Sequence, residues 1–280
     1  MIDDPAGAVD YEEAGAGPTV VLVPGSCSTT AAWRPVIAGF EGRFRCVSTS
    51  LLGYGGTAER RTAADPSIAY EAEAVEAVVR HAAGGPAHLV GHSFGGLVAL
   101  AVALRRRVPL ASLAILEAPA PELLRACGEL HHYRAFRDMT DGYFAAFHRG
   151  DRDAIAAMID FYGGPGTFAS WPARVRGYAV ETTAVNILDW AGAFAYPLSP
   201  AHLAGVSIPV LVVRGGASHP AVQRANELLS LHMPAAALVT LAGAAHFMIS
   251  THAYGVAAAI AAHVVQAAQI PGDGRLACSA

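Results

Sequence analysis

Short apolar runs of strand length alternate along the chain with longer stretches in which alanine and other apolar residues recur at helical spacing. That alternation predicts an α/β fold: a doubly wound, mostly parallel sheet with helices on both faces. Thr19 to Val23 reads as a strand closed by Pro24-Gly25. Phe44 to Thr49 reads as a second, running into the glycine-rich loop Leu52-Gly53-Tyr54-Gly55-Gly56-Thr57. Helical spacing extends from Ile68 to His81 and stops at Gly84-Gly85-Pro86, ahead of a strand at His88 to Val90. A helix follows over Phe94 to Arg107, and its terminal Arg105-Arg106-Arg107 puts positive charge at the negative end of the helix dipole. Further strands are expected at Ser112 to Leu116, Ile208 to Val213 and Ala237 to Leu241. Helices are expected from about Ala221 to Leu231 and, alanine-rich, up to about Ala268. The tail from Pro271 onward has no periodicity and reads as a flexible end.

Roughly ninety residues separate the strands at Leu116 and Ile208, too many for a connection inside a compact sheet, so they should form a structure of their own. The pattern predicts a core made of 1–118 and 206–270 and a helical cap over 119–205, broken at Gly163-Gly164-Pro165-Gly166 and at Ser199-Pro200. Thirteen of the chain's twenty-two aromatic residues fall in this insert, among them Tyr133, Phe136, Tyr143, Phe147, Phe161, Trp171, Trp190 and Phe194. Such a concentration serves both the insert's own packing and an apolar pocket beneath a lid.

The segment Ala87-His88-Leu89-Val90-Gly91-His92-Ser93-Phe94-Gly95-Gly96-Leu97 ends an apolar strand on a serine flanked by glycines and starts a helix. A serine in that setting is a nucleophile candidate: the glycines permit a sharp strained turn that lifts the hydroxyl above the sheet edge, with the next backbone N–H facing the group attacked.

Composition then removes competing chemistry. The 280 residues are 53% apolar with a net charge of −4, enough to bury a large core and offering no basic face for nucleic acid. No basic start precedes an apolar leader, and no apolar run reaches membrane-spanning length, so a soluble cytoplasmic protein without membrane partners is expected. Cys27, Cys46, Cys127 and Cys278 lie far apart, without metal-ligand or disulfide spacing. All nineteen basic residues are arginine, which excludes a Schiff-base lysine and a phosphate-loop lysine. No dinucleotide fingerprint follows a strand. Chemistry from side chains alone, without cofactor or metal, on a small-molecule substrate is the expectation; oligomeric state is open.

With the elbow, the insert and the late Gly243-Ala244-Ala245-His246-Phe247 in this order, the chain resembles the α/β-hydrolase family over nearly its whole length. The resemblance implies an eight-stranded type of sheet with the cap inserted after the sixth strand. It also implies Ser93 as nucleophile, His246 as base, and an oxyanion hole from the backbone N–H groups of Phe94 and Ser26. Ser26 lies in Val23-Pro24-Gly25-Ser26-Cys27, where Pro24 stands in place of the family's usual histidine and Cys27 is the alternative donor. Most relatives carry an aspartate after the strand leading out of the cap, but here that stretch is Arg214-Gly215-Gly216-Ala217-Ser218-His219-Pro220, with no carboxylate. Some members carry the acid one strand earlier, which points to Glu117; a Ser–His dyad and Asp189 of the insert are the alternatives. His219 is the rival base, His92 a structural histidine and Cys27 a small filler. The implied activity is hydrolysis of an ester of a small apolar or aromatic compound through an acyl-enzyme. Lactone opening, carbon-carbon bond hydrolysis or lyase chemistry, and non-catalytic ligand binding are the competing readings.

Overall fold

The computed structural model of the chain describes residues 1–4 and 7–269; the expected flexible tail at 271–280 lies outside the described residues. Two short strands, β1 (Ile2–Asp4) and β2 (Gly7–Val9), form an antiparallel ribbon apart from the main sheet. The main sheet holds β3 (Tyr11–Ala14), β4 (Thr19–Val23), β5 (Arg45–Thr49), β6 (Ala87–His92), β7 (Leu110–Leu116), β8 (Val210–Gly215) and β9 (Ala236–Leu241) in the order β3-β5-β4-β6-β7-β8-β9. Only β3 runs antiparallel to its neighbour. The sheet thus has seven strands among the described residues, and the long insertion follows its fifth in chain order, because the N-terminal residues pair with each other rather than joining the sheet.

Successive side chains of a strand point to opposite faces. Val20 and Leu22 of β4 join the layer built with Val256, Ile260 and Val264 of the C-terminal helix, whereas Val21 and Val23 join the larger layer with Val75, Val78, Leu97 and Leu100. Burial on both faces is why these strands read as unbroken apolar runs. The helices are α1 (Arg34–Gly39), α2 (Ile68–Ala82) and α3 (Phe94–Arg105), then α4 (Pro121–Ala126), α5 (Leu130–His148), α6 (Ala156–Gly163), α7 (Thr167–Ser170), α8 (Ala173–Glu181), α9 (Thr183–Ala195) and α10 (Pro200–Leu203) within the insertion. After β8 come α11 (Pro220–His232), α12 (Met248–Thr251) and α13 (Ala253–Gln269). The single long C-terminal helix expected from the alanine pattern is therefore two, parted at His252. At the end of α3, Arg105 pairs with Glu76 and Glu73, Arg107 reaches Glu73, and Arg106 donates to the carbonyl of Gly205, so the triple-arginine run is spent within the fold.

Parallel pairing of β4, β6, β7 and β8 brings the C-terminal ends of those strands to one edge. The loops after β4, β6, β7 and β8 and the loop after β9 meet there, beneath the inserted helices.

Candidate active site

Ser93 sits between β6 and α3 with φ 55° and ψ −130°, a left-handed backbone that a residue with a side chain holds only at a cost of about 1–3 kcal/mol. Its N–H donates to the carbonyl of Leu116 on β7 at 2.8 Å, which pins the turn. The flanking glycines make room for this turn without adopting its strained backbone themselves. Neither has a positive φ; the strain is on Ser93 itself. A Cβ on Gly91 would stand 2.2 Å from the Gly95 carbonyl oxygen, and one on Gly95 would stand 2.1 Å from that of Pro24. Glycine is required here for close backbone approach.

His246 lies in the loop between β9 and α12, its side chain bridging two groups. Ser93 Oγ is 2.9 Å from Nε2, and Glu117 Oε2 is 3.0 Å from Nδ1. A carboxylate can only accept, so Nδ1 carries the proton toward Glu117 and Nε2 accepts the Ser93 hydroxyl proton. Ser93 is 9% exposed, His246 2% and Glu117 not at all. Glu117 follows the end of β7 with φ 51°, a second left-handed residue at this edge. Its N–H donates to the Val213 carbonyl at 3.0 Å, and its Oε1 accepts the N–H of Gly215 at 2.6 Å. The strand end that carries no acid thus supplies a donor to the acid of the neighbouring strand.

The other residues weighed from the sequence are placed elsewhere. His92 faces the His246 carbonyl at 2.8 Å through Nε2, and burial pushes its pKa down to about 3, so the ring is neutral, donates there and holds the backbone of the loop. His219 caps α11, accepting the Ala221 N–H at 3.1 Å, and stacks on Phe161 with centroids 4.1 Å apart; it is not the partner of Ser93. Asp189 is held away from His246: its carboxylate accepts from Ser26 Oγ at 2.5 Å, Tyr54 Oη at 2.7 Å and Arg61 Nη1 at 2.7 Å. Cys27 has φ 55° and a thiol that burial pushes up to about 12, which leaves it protonated and unreactive.

The loop after β4 lies against the nucleophile. A Cβ on Gly25 would come within 2.8 Å of Ser93 Cβ and 3.3 Å of its Oγ. Ser26 is next along this loop, and Phe94, which directly follows Ser93, is the first residue of α3.

The insertion closes the site with aromatic rings. Tyr162 of α6 stacks on His246 with centroids 3.8 Å apart and planes at 25°. Behind it, Trp190 of α9 contacts Tyr162, Phe136 and Phe194. Tyr162 Oη is buried with no hydrogen-bond partner among the described residues. No sequence signal singled out Tyr162, because its neighbour His246 lies far along the chain and nothing in local spacing records the insert folding back over the sheet edge.

A second buried constellation adjoins the first. Arg61, between β5 and α2, meets Glu71 at 2.9 Å, Glu59 at 2.7 Å and Asp189 at 2.7 Å, and donates to the Leu52 carbonyl at 3.2 Å. Burial raises the pKa of Glu71 to about 8, and it also raises that of Asp189 against the opposing pull of Arg61. Glu71 Oε2 accepts the Leu52 N–H at 3.1 Å. These residues come from the glycine-rich loop region, α2 and α9, and only the fold joins them.

A profile of the alpha/beta hydrolase family matches residues 20–259, and the chain belongs to that family. Haloalkane dehalogenase 2 of Mycobacterium tuberculosis (strain ATCC 25618 / H37Rv) is 30% identical over 104 residues, 37% of this chain and 36% of that protein. The match thus spans about a third of the length of that relative. Among solved structures, a thermophilic esterase from Thermogutta terrifontis superposes with a TM-score of 0.75 at 22% identity, covering 93% of this chain and 94% of that one. The enol-lactonase of Burkholderia xenovorans LB400 gives 0.72 at 19% identity, covering 93% and 98%. At these identities the structural likeness is one of fold.

Among the described residues no helix is long and apolar enough to cross a membrane, and no group of three or more His, Cys, Asp or Glu is arranged to hold a metal ion.

Proposed function

We propose that the protein is a cofactor-independent serine hydrolase that cleaves an ester-type bond of a small apolar or aromatic compound. The observation carrying this reading is the unbroken chain Ser93 Oγ, His246 Nε2, His246 Nδ1, Glu117 Oε2, with both links at hydrogen-bond length. In the forward half-reaction Ser93 Oγ attacks the carbonyl carbon while His246 takes its proton. The carbonyl electrons move to oxygen, which the N–H groups of Phe94 and Ser26 stabilise. His246 then protonates the departing alkoxide, leaving an acyl group on Ser93. Water, deprotonated by His246, releases the acid and restores the serine. Glu117 keeps its charge throughout and stabilises the imidazolium; Gly215 fixes its orientation.

A serine at the elbow also argues against carbon–halogen cleavage, the activity named for the mycobacterial relative. Attack by an alcohol oxygen on an alkyl halide would leave an ether, which has no carbonyl for water to attack. The covalent intermediate would be a dead end. Lactone opening follows the same acyl chemistry and differs only in that the leaving alcohol stays attached. The aromatic surround of Tyr162, Trp190 and Phe136 favours an apolar substrate, and the burial of Ser93 means that part of the 119–205 cap moves to admit it.

The test is a panel of esters, thioesters, lactones and amides assayed with wild type and Ser93→Ala. The expected result is turnover of at least one carbonyl substrate that Ser93→Ala reduces by about a thousandfold or more. Equal rates for both proteins across the panel would overturn the acyl-transfer reading.

A further inference from the structure

The loop that carries Ser26 is tied to the insertion by the Ser26 side chain, beside a contact of the Cys27 thiol with Thr182. The Ser26 hydroxyl donates to Asp189 Oδ2 at 2.5 Å, bridging the β4 loop to α9. Asp189 cannot drift: Tyr54 Oη at 2.7 Å and Arg61 Nη1 at 2.7 Å hold its two oxygens, and Arg61 is itself clamped by Glu59, Glu71 and the Leu52 carbonyl. The loop needs holding, because Cys27, next to Ser26, has a non-glycine residue's unfavourable φ of 55°, and Gly25 passes within contact distance of Ser93. The carboxylate is 1% exposed, so water does not compete for it.

We propose that Asp189 is a positioning residue for the oxyanion hole, holding the Ser26 N–H in place through the Ser26 hydroxyl from the cap side. The idea rests on the acyl-transfer reading and adds a consequence to it. The donor is set only while α9 is seated, so the hole is complete in the closed protein and loosened when the cap lifts. The buried ionic cluster is then more than a structural staple. Arg61, clamped by Glu59 and Glu71, holds Asp189 Oδ1, and Oδ2 is left to Tyr54 and to the loop registered through Ser26.

The decisive variant is Ser26→Ala, which deletes one hydroxyl, keeps the backbone N–H and leaves the ionic cluster intact. With an activated ester, kcat should fall about tenfold while KM stays within about twofold, since a misplaced donor is felt mainly in the transition state. The affinity of an arylboronic acid, which forms a tetrahedral adduct with Ser93, should fall by the same factor as kcat. Asp189→Asn keeps an oxygen that can accept from Ser26 and should retain most of kcat, whereas Asp189→Ala should match Ser26→Ala. In the double variant Ser26→Ala/Asp189→Ala the two losses should not add. Unchanged kcat and boronate affinity in Ser26→Ala would overturn the proposal, as would fully additive losses in the double variant. Ser93→Ala run alongside separates the two ideas. If it keeps activity, the acyl-transfer reading itself falls; if it is inactive while Ser26→Ala behaves as wild type, only the role of Asp189 falls. Should the Asp189 variants fail to fold, Ser26→Ala still decides.

Discussion

Two buried constellations lie side by side at the C-terminal edge of the sheet, and they handle charge in opposite ways. Around Arg61, Glu59, Glu71 and Asp189 are tied to one guanidinium, and the Asp189 oxygens are further occupied by Ser26 and Tyr54. Around His246, one carboxylate is saturated on its far side by Gly215, and the chain of hydrogen bonds ends at the Ser93 hydroxyl under the insertion. The first arrangement has its groups paired and fixed around one cation; the second delivers a proton acceptor to an oxygen with no further hydrogen-bond partner among the described residues. Buried titratable groups therefore mark two functions here: in one cluster they secure a shape, and in the other they lead to a reactive atom. What separates them is where the network stops.

The sharpest way to break that contrast is at its reactive end. Ser93→Ala should lower kcat for an activated ester by about a thousandfold or more with the unfolding midpoint little changed, and His246→Ala should lower kcat as far. Glu117→Gln should lower kcat by roughly 10³–10⁴-fold, because an amide can present its N–H to Nδ1 and favour the wrong tautomer. Activity near wild type in Glu117→Gln would remove Glu117 from the relay and return a dyad to favour. At the other cluster the balance should reverse. Arg61→Leu leaves the Asp189 and Glu59 carboxylates without their cation, and a loss of about 3–5 kcal/mol in urea unfolding is expected, since an uncompensated buried charge is costly. A stable Arg61→Leu protein would show that the cluster is not the lock described.

Between these extremes lies a pH effect. Burial raises the pKa of Glu71 to about 8 in the folded chain, so the native state holds a proton there that the unfolded chain releases near the ordinary glutamate value. Stability from this group is present in acid and is lost as pH rises toward 8. His88, His92, His219 and His263 act in the opposite sense below pH 6.5, because burial lowers their pKa values and the unfolded chain takes up their protons. The window from about pH 6.5 to 8 therefore reports on the raised carboxyls of the Arg61 cluster, Glu71 foremost, with Asp189 shifted in the same direction. Wild type should lose stability across it, and Glu71→Gln should flatten the slope; the same slope in both proteins would contradict the assignment.

The smallest effect concerns the ring between the two regions. Tyr162→Phe removes a buried hydroxyl that makes no hydrogen bond and keeps the ring stacked on His246, so kcat should stay within about threefold and stability should hold or rise slightly. A large loss in kcat would mean that the hydroxyl meets substrate.

Much of the fold is legible in the sequence. The apolar runs at Thr19–Val23 and around Leu89 and Leu113 announced a sheet buried on both faces, because such strands cannot alternate polar and apolar residues. β3, with the sequence Tyr-Glu-Glu-Ala, was silent because an edge strand facing solvent needs no apolar run. The strand, glycine-flanked serine and helix around Ser93 are legible, whereas the positive φ of Ser93 leaves no mark on a serine's identity. Glu117 was reached only because Arg214 to Pro220 lacks a carboxylate. The sequence could not say that its second oxygen lands on Gly215, a contact made by neighbouring parallel strands. The Asp189–Arg61 lock is illegible for the same reason: the two residues lie 128 positions apart in the chain and meet only when α9 seats.

The central claim is that Ser93 becomes acylated through His246. Its most direct test is intact-protein mass measurement of enzyme quenched with acid in the first turnovers of an activated short-chain ester. The expected result is a mass increase of one acyl group less one hydrogen, mapped by peptide analysis to Ser93, formed in the burst and absent in Ser93→Ala. Steady turnover with no covalent adduct, or an adduct that forms equally in Ser93→Ala, would contradict it.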